Sequence, residues 1–363
     1  AAFIDLDEDG FLDAMVTSAA GSESQFYRNE GNGAFSKFDR TQIGDLDDGV
    51  GNWNGQSWGD YDNDGDLDLV LTDGEARDLR NDAYYRNEGK GRFKKLTLDE
   101  AGSIVADGKT GYGSGAADYD NDGRLDICIA VPSRTLSGET GDKNLLYHNN
   151  GDGTFSRVLS GSIANDVAAS SGCAWGDYNN DGFMDLAVSN GGFAGPQNNF
   201  LYRNNGNSNH WLKLNLIGTV SPRSAVGVNV RLKATIRGKT FWQRRAVHES
   251  DGEYRQHDPR PNFGLGDSTV AEVLRIEWPS DTVQELTNVA ANQFLTVTEP
   301  ARLQALGAGV LRIQSWKGMA FAVQTSTNLT QWSPLDRDQS HWHAGVHGPR
   351  CGKPGVAFLP NGA

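Results

Sequence analysis

Apolar positions in the first 205 residues come in short bursts, each closed by a dense polar turn. Leu67–Thr72 reads Leu-Asp-Leu-Val-Leu-Thr, a β-rich run, and Ser57–Tyr61 forms another just before it. Ala83–Asn87 and Phe93–Leu98 flank a Gly89–Gly91 turn, as the two arms of a hairpin would. No segment sustains a 3.6-residue apolar period, so helix is expected to be minor. Further on, Trp211–Ile217, Gly227–Ile236, Val270–Trp278 and Gln293–Val297 have strand-like patterning and predict a compact antiparallel β-domain. The pattern predicts an all-β protein.

The bursts recur. Asp5-Leu-Asp7-Glu-Asp9-Gly10-Phe11-Leu-Asp13 returns at Asp60–Asp68, Asp118–Asp126 and Asp177–Asp185, at spacings of 55, 58 and 59 residues. A companion motif follows each copy: Tyr27-Arg-Asn-Glu-Gly31-Asn-Gly33-Ala-Phe35, then Tyr85–Phe93, Tyr147–Phe155 and Tyr202–Gly206. Two linked motifs in series predict four-stranded units of nearly 60 residues. Units of that kind are blades of a β-propeller.

Composition and charge sharpen this picture. Glycine supplies 45 of 363 residues, about 12% against a typical level of about 7%, as a protein of many turns requires. Residues 1–205 hold 35 acidic and 16 basic side chains, whereas residues 206–363 hold 12 and 17. The net charge of −14 argues against nucleic-acid binding, and its concentration in one half predicts a local neutralising partner. No apolar run is long enough to span a membrane as a helix. Three cysteines make no disulfide framework; Cys128 and Cys173 read as buried thiols, and Cys351 lies in a loop-like tail. The chain opens at Ala1 inside a motif, so further sequence upstream is expected.

The repeated loops carry the chemistry. Carboxylates at positions 1, 3, 5 and 9, with glycine at 6, match the first nine positions of an EF-hand loop and select Ca2+ through hard oxygen donors. The ligand sets are Asp5, Asp7, Asp9 and Asp13; Asp60, Asp62, Asp64 and Asp68; Asp118, Asp120, Asp122 and Asp126; and Asp177, Asn179, Asp181 and Asp185. The seventh-position carbonyls belong to Phe11, Asp66, Arg124 and Phe183. A bidentate Glu is missing from position 12, where Val16, Leu71, Ile129 and Val188 stand, and strands flank the loop. These are therefore strand-to-strand calcium loops, about four ions in all, structural rather than catalytic. The fourth, with Asn179 in place of a carboxylate, is expected to be the weakest and the nearest to the second domain.

The loops and their Tyr-Arg-Asn companions resemble FG-GAP/VCBS repeats, the blades of integrin-α-type propellers. The resemblance covers residues 1–206. That family's propellers usually have seven blades, so the four visible here are read as part of such a ring, with a closed four-bladed ring as the alternative. Asn209-His-Trp-Leu-Lys-Leu, Phe263-Gly-Leu-Gly, Glu277-Trp-Pro-Ser and Asn292–Glu299 resemble an ASPIC/UnbV domain over residues 207–299. Residues 309–335, on the strength of Phe321–Trp332, resemble a small β-module at the C-termini of secreted bacterial proteins, and residues 300–363 are read as that module.

Signals for catalysis are thin. Gly55-Gln-Ser57-Trp-Gly59 fits GxSxG but runs into a calcium loop instead of a strand-to-helix elbow. His341, His343 and His347 could bind a transition metal, and His248, Asp251 and His257 lie close in sequence. Both groups read more simply as polar loops. Arg28, Arg86 and Arg203, with His148 in the third repeat, read as partners of neighbouring acids, and Trp58 and Trp175 as core. The expectation is a secreted or surface-bound, non-catalytic binding or adhesion module with an extracellular protein or glycan as partner. Millimolar extracellular calcium suits sites with Kd of about 10⁻⁴–10⁻³ M. The alternative is a calcium-dependent carbohydrate-active enzyme, such as a propeller polysaccharide lyase.

Overall fold

The computed structural model describes residues 2–17, 24–47, 53–74, 81–132, 141–191, 195–247 and 257–301; beyond these it describes only the backbone of short strands. Four antiparallel sheets follow one another along the chain. The first joins β1 (Ala2–Ile4), β2 (Asp13–Val16), β3 (Gln25–Asn29) and β4 (Phe35–Lys37) in sequence order. The second joins β5 (Trp53–Gly59), β6 (Asp68–Asp73), β7 (Ala83–Asn87) and β8 (Phe93–Lys95). In the third, β9 (Ser114–Ala117), β10 (Asp126–Ile129), β12 (Leu145–Asn149) and β13 (Phe155–Arg157) pair the same way. There β11 (Asp142–Lys143) pairs instead with β14 (Val167–Ala168). The fourth joins β15 (Ser170–Gly176), β16 (Asp185–Asn190) and β17 (Phe200–Tyr202). The expected arm Phe93–Leu98 is shorter than its pattern predicts. It ends at Lys95 because Thr97 begins a helical turn, α2 (Leu98–Ala101), in which Glu100 accepts the Thr97 amide at 3.1 Å. The matching turn after the first blade is α1 (Arg40–Ile43), capped by Asp39.

Strand periodicity explains why these runs are so apolar. Side chains alternate across a sheet, and each inner blade is covered on both faces. On one face of the second blade, Trp58, Leu69, Leu71, Tyr85 and Phe93 pack with Ile4, Met15 and Phe26 of the first. On its other face, Tyr61, Val70 and Tyr84 pack with Ile127, Ile129, Tyr147 and Phe155 of the third. Among the described residues the outer faces lack such cover. Phe3, Val16 and Phe35, the counterparts of buried Trp58, Leu71 and Phe93, are 61%, 44% and 47% exposed. At the other end Tyr178 and Leu201, counterparts of buried Tyr61 and Tyr84, are 53% and 63% exposed. The four blades thus form an open arc, and the alternative of a ring closed by these four blades alone is not what the structure adopts.

The second unit is a β-sandwich. One sheet has the order β21 (Asn262–Gly266), β18 (His210–Ile217), β24 (Gln293–Thr298). The other has the order β20 (Lys239–Ala246), β19 (Asn229–Ile236), β22 (Val270–Glu277), β23 (Val283–Ala290). Its strands are antiparallel except that β18 and β24 run parallel. Leu212, Leu214, Val230, Leu232, Phe263, Leu274, Ile276 and Val297 form the core between the sheets. Beyond residue 301, Arg302–Gly307 pairs with Val310–Gln314, and Ala322–Ser326 lies between Ser333–Pro334 and Gly355–Leu359.

Candidate functional site

Each acidic loop joins the first and second strands of its blade, and all four share one backbone form. Position 4 (Glu8, Asn63, Asn121, Asn180) has φ of 57–61° and the position-6 glycine has φ of 89–107°. Asparagine tolerates the left-handed region and glycine occupies it freely. The fifth-position carboxylate accepts the seventh-position amide in every copy, from Phe11, Asp66, Arg124 and Phe183 at 2.9–3.1 Å. The first-position carboxylate accepts the glycine amide at 2.8–3.1 Å in loops one, three and four. The loops are therefore folded round their own carboxylates before any ion is considered.

The ninth-position carboxylate ties the loop to the companion motif. Asp13, Asp68, Asp126 and Asp185 each take two backbone amides, one from position 2 and one from Asn29, Asn87, Asn149 or Asn204. Those asparagines do more. Asn149 Nδ2 donates to Leu125 O in its own blade (3.1 Å) and to Tyr61 O in the preceding blade (2.7 Å). Asn204 does the same to Met184 O and Tyr119 O. The Tyr-Arg-Asn motif is thus a staple between successive blades. The sequence carried the repeat, but a pairing 88 residues away has no local signature.

Carboxylates converge within 4.8 Å at Asp5, Asp7 and Asp13, at Asp60, Asp62 and Asp64, and at Asp118, Asp120 and Asp122. Among the described residues no such triad forms in the fourth loop, where Asn179 Nδ2 donates to Asp181 Oδ2 at 2.7 Å. Neither oxygen of fully buried Asp60 has a well-aligned hydrogen-bond partner, although the Gly65 amide comes near enough to offset part of the burial penalty. Burial pushes Asp5 and Asp13 up to about 6 and Asp60 up to about 7, with neighbouring aspartates adding to the rise in each case. A buried carboxylate left without a donor costs free energy that a cation would offset, so the oxygen-only donor sets fit a hard divalent ion. The recurrent arginine behaves as expected in the first blade, where Arg28 meets Asp7 and Asp9 at 2.9 and 3.1 Å. In the second blade Arg86 likewise meets a neighbouring acid, Glu88, at 2.9 Å.

The second unit sits on these loops. Arg244, 2% exposed, donates to Gly65 O at 2.8 Å and pairs with Glu8. Gly264 N donates to Asp118 Oδ2 at 3.0 Å, and Gly266 N to Asn121 O at 2.9 Å. Lys213, wholly buried, lies 3.0 Å from Asp258 and 3.5 Å from Asp177. Arg260 reaches Asn180 and the Asp177 carbonyl. The domain therefore touches all four loops, the fourth through Lys213 and Arg260. The basic excess of residues 206–363 was the visible sign of this contact, since the local neutralising partner is in part the chain itself.

Signals weighed for catalysis resolve simply. Ser57 lies within β5 and accepts the Tyr61 hydroxyl at 3.0 Å, so no nucleophile elbow exists there. His257 Nδ1 accepts the Trp175 amide at 3.0 Å. Trp58, Trp175, Cys128 and Cys173 are buried. His248, Asp251, His341, His343, His347 and Cys351 lie outside the described residues.

Serial antiparallel blades, each with an acidic loop between its first two strands and with a β-sandwich docked on those loops, define a propeller-type repeat protein. Family profiles agree: an FG-GAP-like repeat matches residues 5–71, 60–129 and 135–188, and "ASPIC and UnbV" matches residues 218–304. The chain belongs to the proteins that combine FG-GAP-like repeats with an ASPIC/UnbV domain. It is 24% identical over 275 residues to cartilage acidic protein 1 of Mus musculus and likewise to that of Homo sapiens, covering 75% of this chain. The chain spans about two fifths of the length of these relatives, 40% and 39%. Among solved structures, a lectin from Agrocybe aegerita that recognises non-reducing terminal N-acetylglucosamine overlaps at TM-score 0.35 and 20% identity. That overlap covers 56% of this chain and 51% of the lectin. The Dos1 propeller overlaps at TM-score 0.31 and 11% identity, covering 85% and 74%.

Proposed function

We propose that the chain is an extracellular, non-catalytic binding module whose blades are held by Ca2+ in the acidic loops. The observation that carries this reading is Asp60, whose two oxygens are buried without a well-aligned donor amid Asp62 and Asp64. Support comes also from the repeat of one ligand spacing in every loop and from the FG-GAP-like match, repeats that commonly bind calcium. The name of the cartilage relatives favours an extracellular setting. Because the second domain covers the loop end of the blades, a protein or glycan partner is assigned to the opposite end or the rim.

Calcium binding adds RT ln(1 + [Ca2+]/Kd) per site, about 1.4 kcal/mol at ten times Kd. Three or four sites give roughly 4–6 kcal/mol, comparable to a domain's whole stability. Removing calcium with EGTA is expected to lower the melting temperature by roughly 6–10 °C. An unchanged melt in protein shown by elemental analysis to have lost its metal sinks the proposal.

A further inference from the structure

The third loop differs from the others in one donor. Where the other blades carry Arg28, Arg86 and Arg203, the third carries His148. Its Nδ1 lies 3.2 Å from Asp126 Oδ1 and 3.6 Å from Asp120 Oδ2, and these three residues form a potential ligand group within 4.8 Å. That nitrogen is buried and makes no hydrogen bond of acceptable geometry. The ring is held edge-on against Tyr119, centroids 6.4 Å apart. Every carboxylate of the loop also has protein partners: Arg124 takes Asp122 at 2.5 Å, Asp118 takes the amides of Asp122, Gly123 and Gly264, Asp120 takes that of Asp122, and Asp126 takes those of Tyr119 and Asn149. Asp120 and Asp126 are the two that also face the imidazole nitrogen.

We propose that the third acidic loop is a mixed nitrogen–oxygen site, formed by His148, Asp120 and Asp126, that takes a transition-type divalent cation such as Zn2+. This rests on the reading of the acidic loops as cation sites and adds a metal class that the all-oxygen loops do not favour. Imidazole suits zinc and its neighbours, whereas calcium prefers oxygen throughout. Metal–ligand bonds of about 2.0–2.1 Å in a tetrahedron place adjacent donors about 3.3–3.4 Å apart, close to the spacings found here. The competing role for His148 is that of a protonated counter-cation, standing in for arginine as Arg28 does in the first blade.

The two roles separate in a metal competition experiment. The full-length chain, freed of metal and then held in millimolar Ca2+, is titrated with Zn2+ against a chromophoric chelator, beside His148→Arg. Arginine already serves at this place in the other blades, so the variant keeps the fold; its melting curve checks this. The wild type is expected to take one Zn2+ equivalent that the variant binds at least about 10-fold more weakly. X-ray absorption of the zinc-loaded wild type is expected to show a nitrogen neighbour near 2.0 Å that the variant lacks. Zinc held by other histidines remains in both proteins and cancels. Equal zinc binding by the two proteins, or a zinc centre with no histidine signature, overturns the proposal. Calcium calorimetry on the same samples keeps the two readings apart. Normal calcium binding with no zinc difference removes this inference alone, whereas a zinc difference without calcium binding upholds it and removes the calcium reading.

Discussion

The asparagines of the companion motif show how one residue type can hold two blades. Asn149 is 1% exposed; it donates to carbonyls in two blades and accepts the Gly151 amide at 2.9 Å. Asn149→Ala would leave those buried groups without partners, at an expected cost of about 2–4 kcal/mol. Among the described residues the Asn29 side chain meets Leu12 O and Gly31 N, both in its own blade, and it is partly exposed. Asn29→Ala should therefore cost about 1 kcal/mol. Denaturant melts of the two variants check the difference. Equal losses would mean that the motif works within the blade and not between blades.

Among the elements, the loops are where charge, burial and pH meet. Burial holds Asp5 and Asp13 at about 6 and Asp60 at about 7, and Asp126 also rises to about 7 despite its contact with His148. A carboxyl that binds its proton more tightly folded than unfolded makes the folded state less favourable as pH rises from the unfolded value near 4 to the folded value near 7. The metal-free protein should therefore lose stability between about pH 4.5 and 7.5. Calcium, which binds the ionised form, should reverse this, so the gap between metal-free and calcium-saturated melting temperatures widens over that range. Paired thermal scans across these pH values test the point, and a gap that narrows with pH contradicts it. Glu299 works in the opposite direction. Burial raises its pKa, but bonds from Ser280 and from the amides of Thr219, Val220 and Ser221 outweigh that and lower it, so its contribution fades only below its ordinary 4.5.

For the whole molecule, the question is whether the arc and the sandwich melt as one. Gly264 decides how closely they approach: a Cβ there would lie 2.1 Å from Asp118 Oδ2 and 2.3 Å from the Asn121 backbone. The first neighbour is a fully buried loop carboxylate and the second cannot move without the blade. Gly264→Ala should thus push β21 off the loops. We expect one cooperative transition for the wild type and two for the variant, with the blades destabilised by about 3 kcal/mol. Calorimetry of the variant gives the answer; one transition at an unchanged temperature would show that the contact carries no stability.

Much of this architecture was legible along the chain because it is local. The strands Ala83–Asn87, Asn229–Ile236 and Val270–Glu277 fall within or beside the runs that their alternation predicts, and the acidic loops announce themselves by carboxylate spacing within nine residues. Such features depend on backbone sterics and on donors already adjacent in sequence, so the order of residues suffices to specify them. The strand Lys239–Ala246 is not legible in the sequence because its run Lys-Thr-Phe-Trp-Gln-Arg-Arg-Ala does not alternate cleanly between apolar and polar; Gln243 and Arg244 are buried for the sake of contacts outside the strand. Contacts between distant segments decided the rest: Asn149 reaching Tyr61, Arg244 reaching Gly65, Lys213 buried beside Asp177, and His148 turned toward Asp120 and Asp126. Their partners are brought together by packing of blades and domain, and the free energy of a buried charge depends on what surrounds it. Composition could say that the acidic half needed neutralising; only the tertiary structure placed the basic half of the same chain against it.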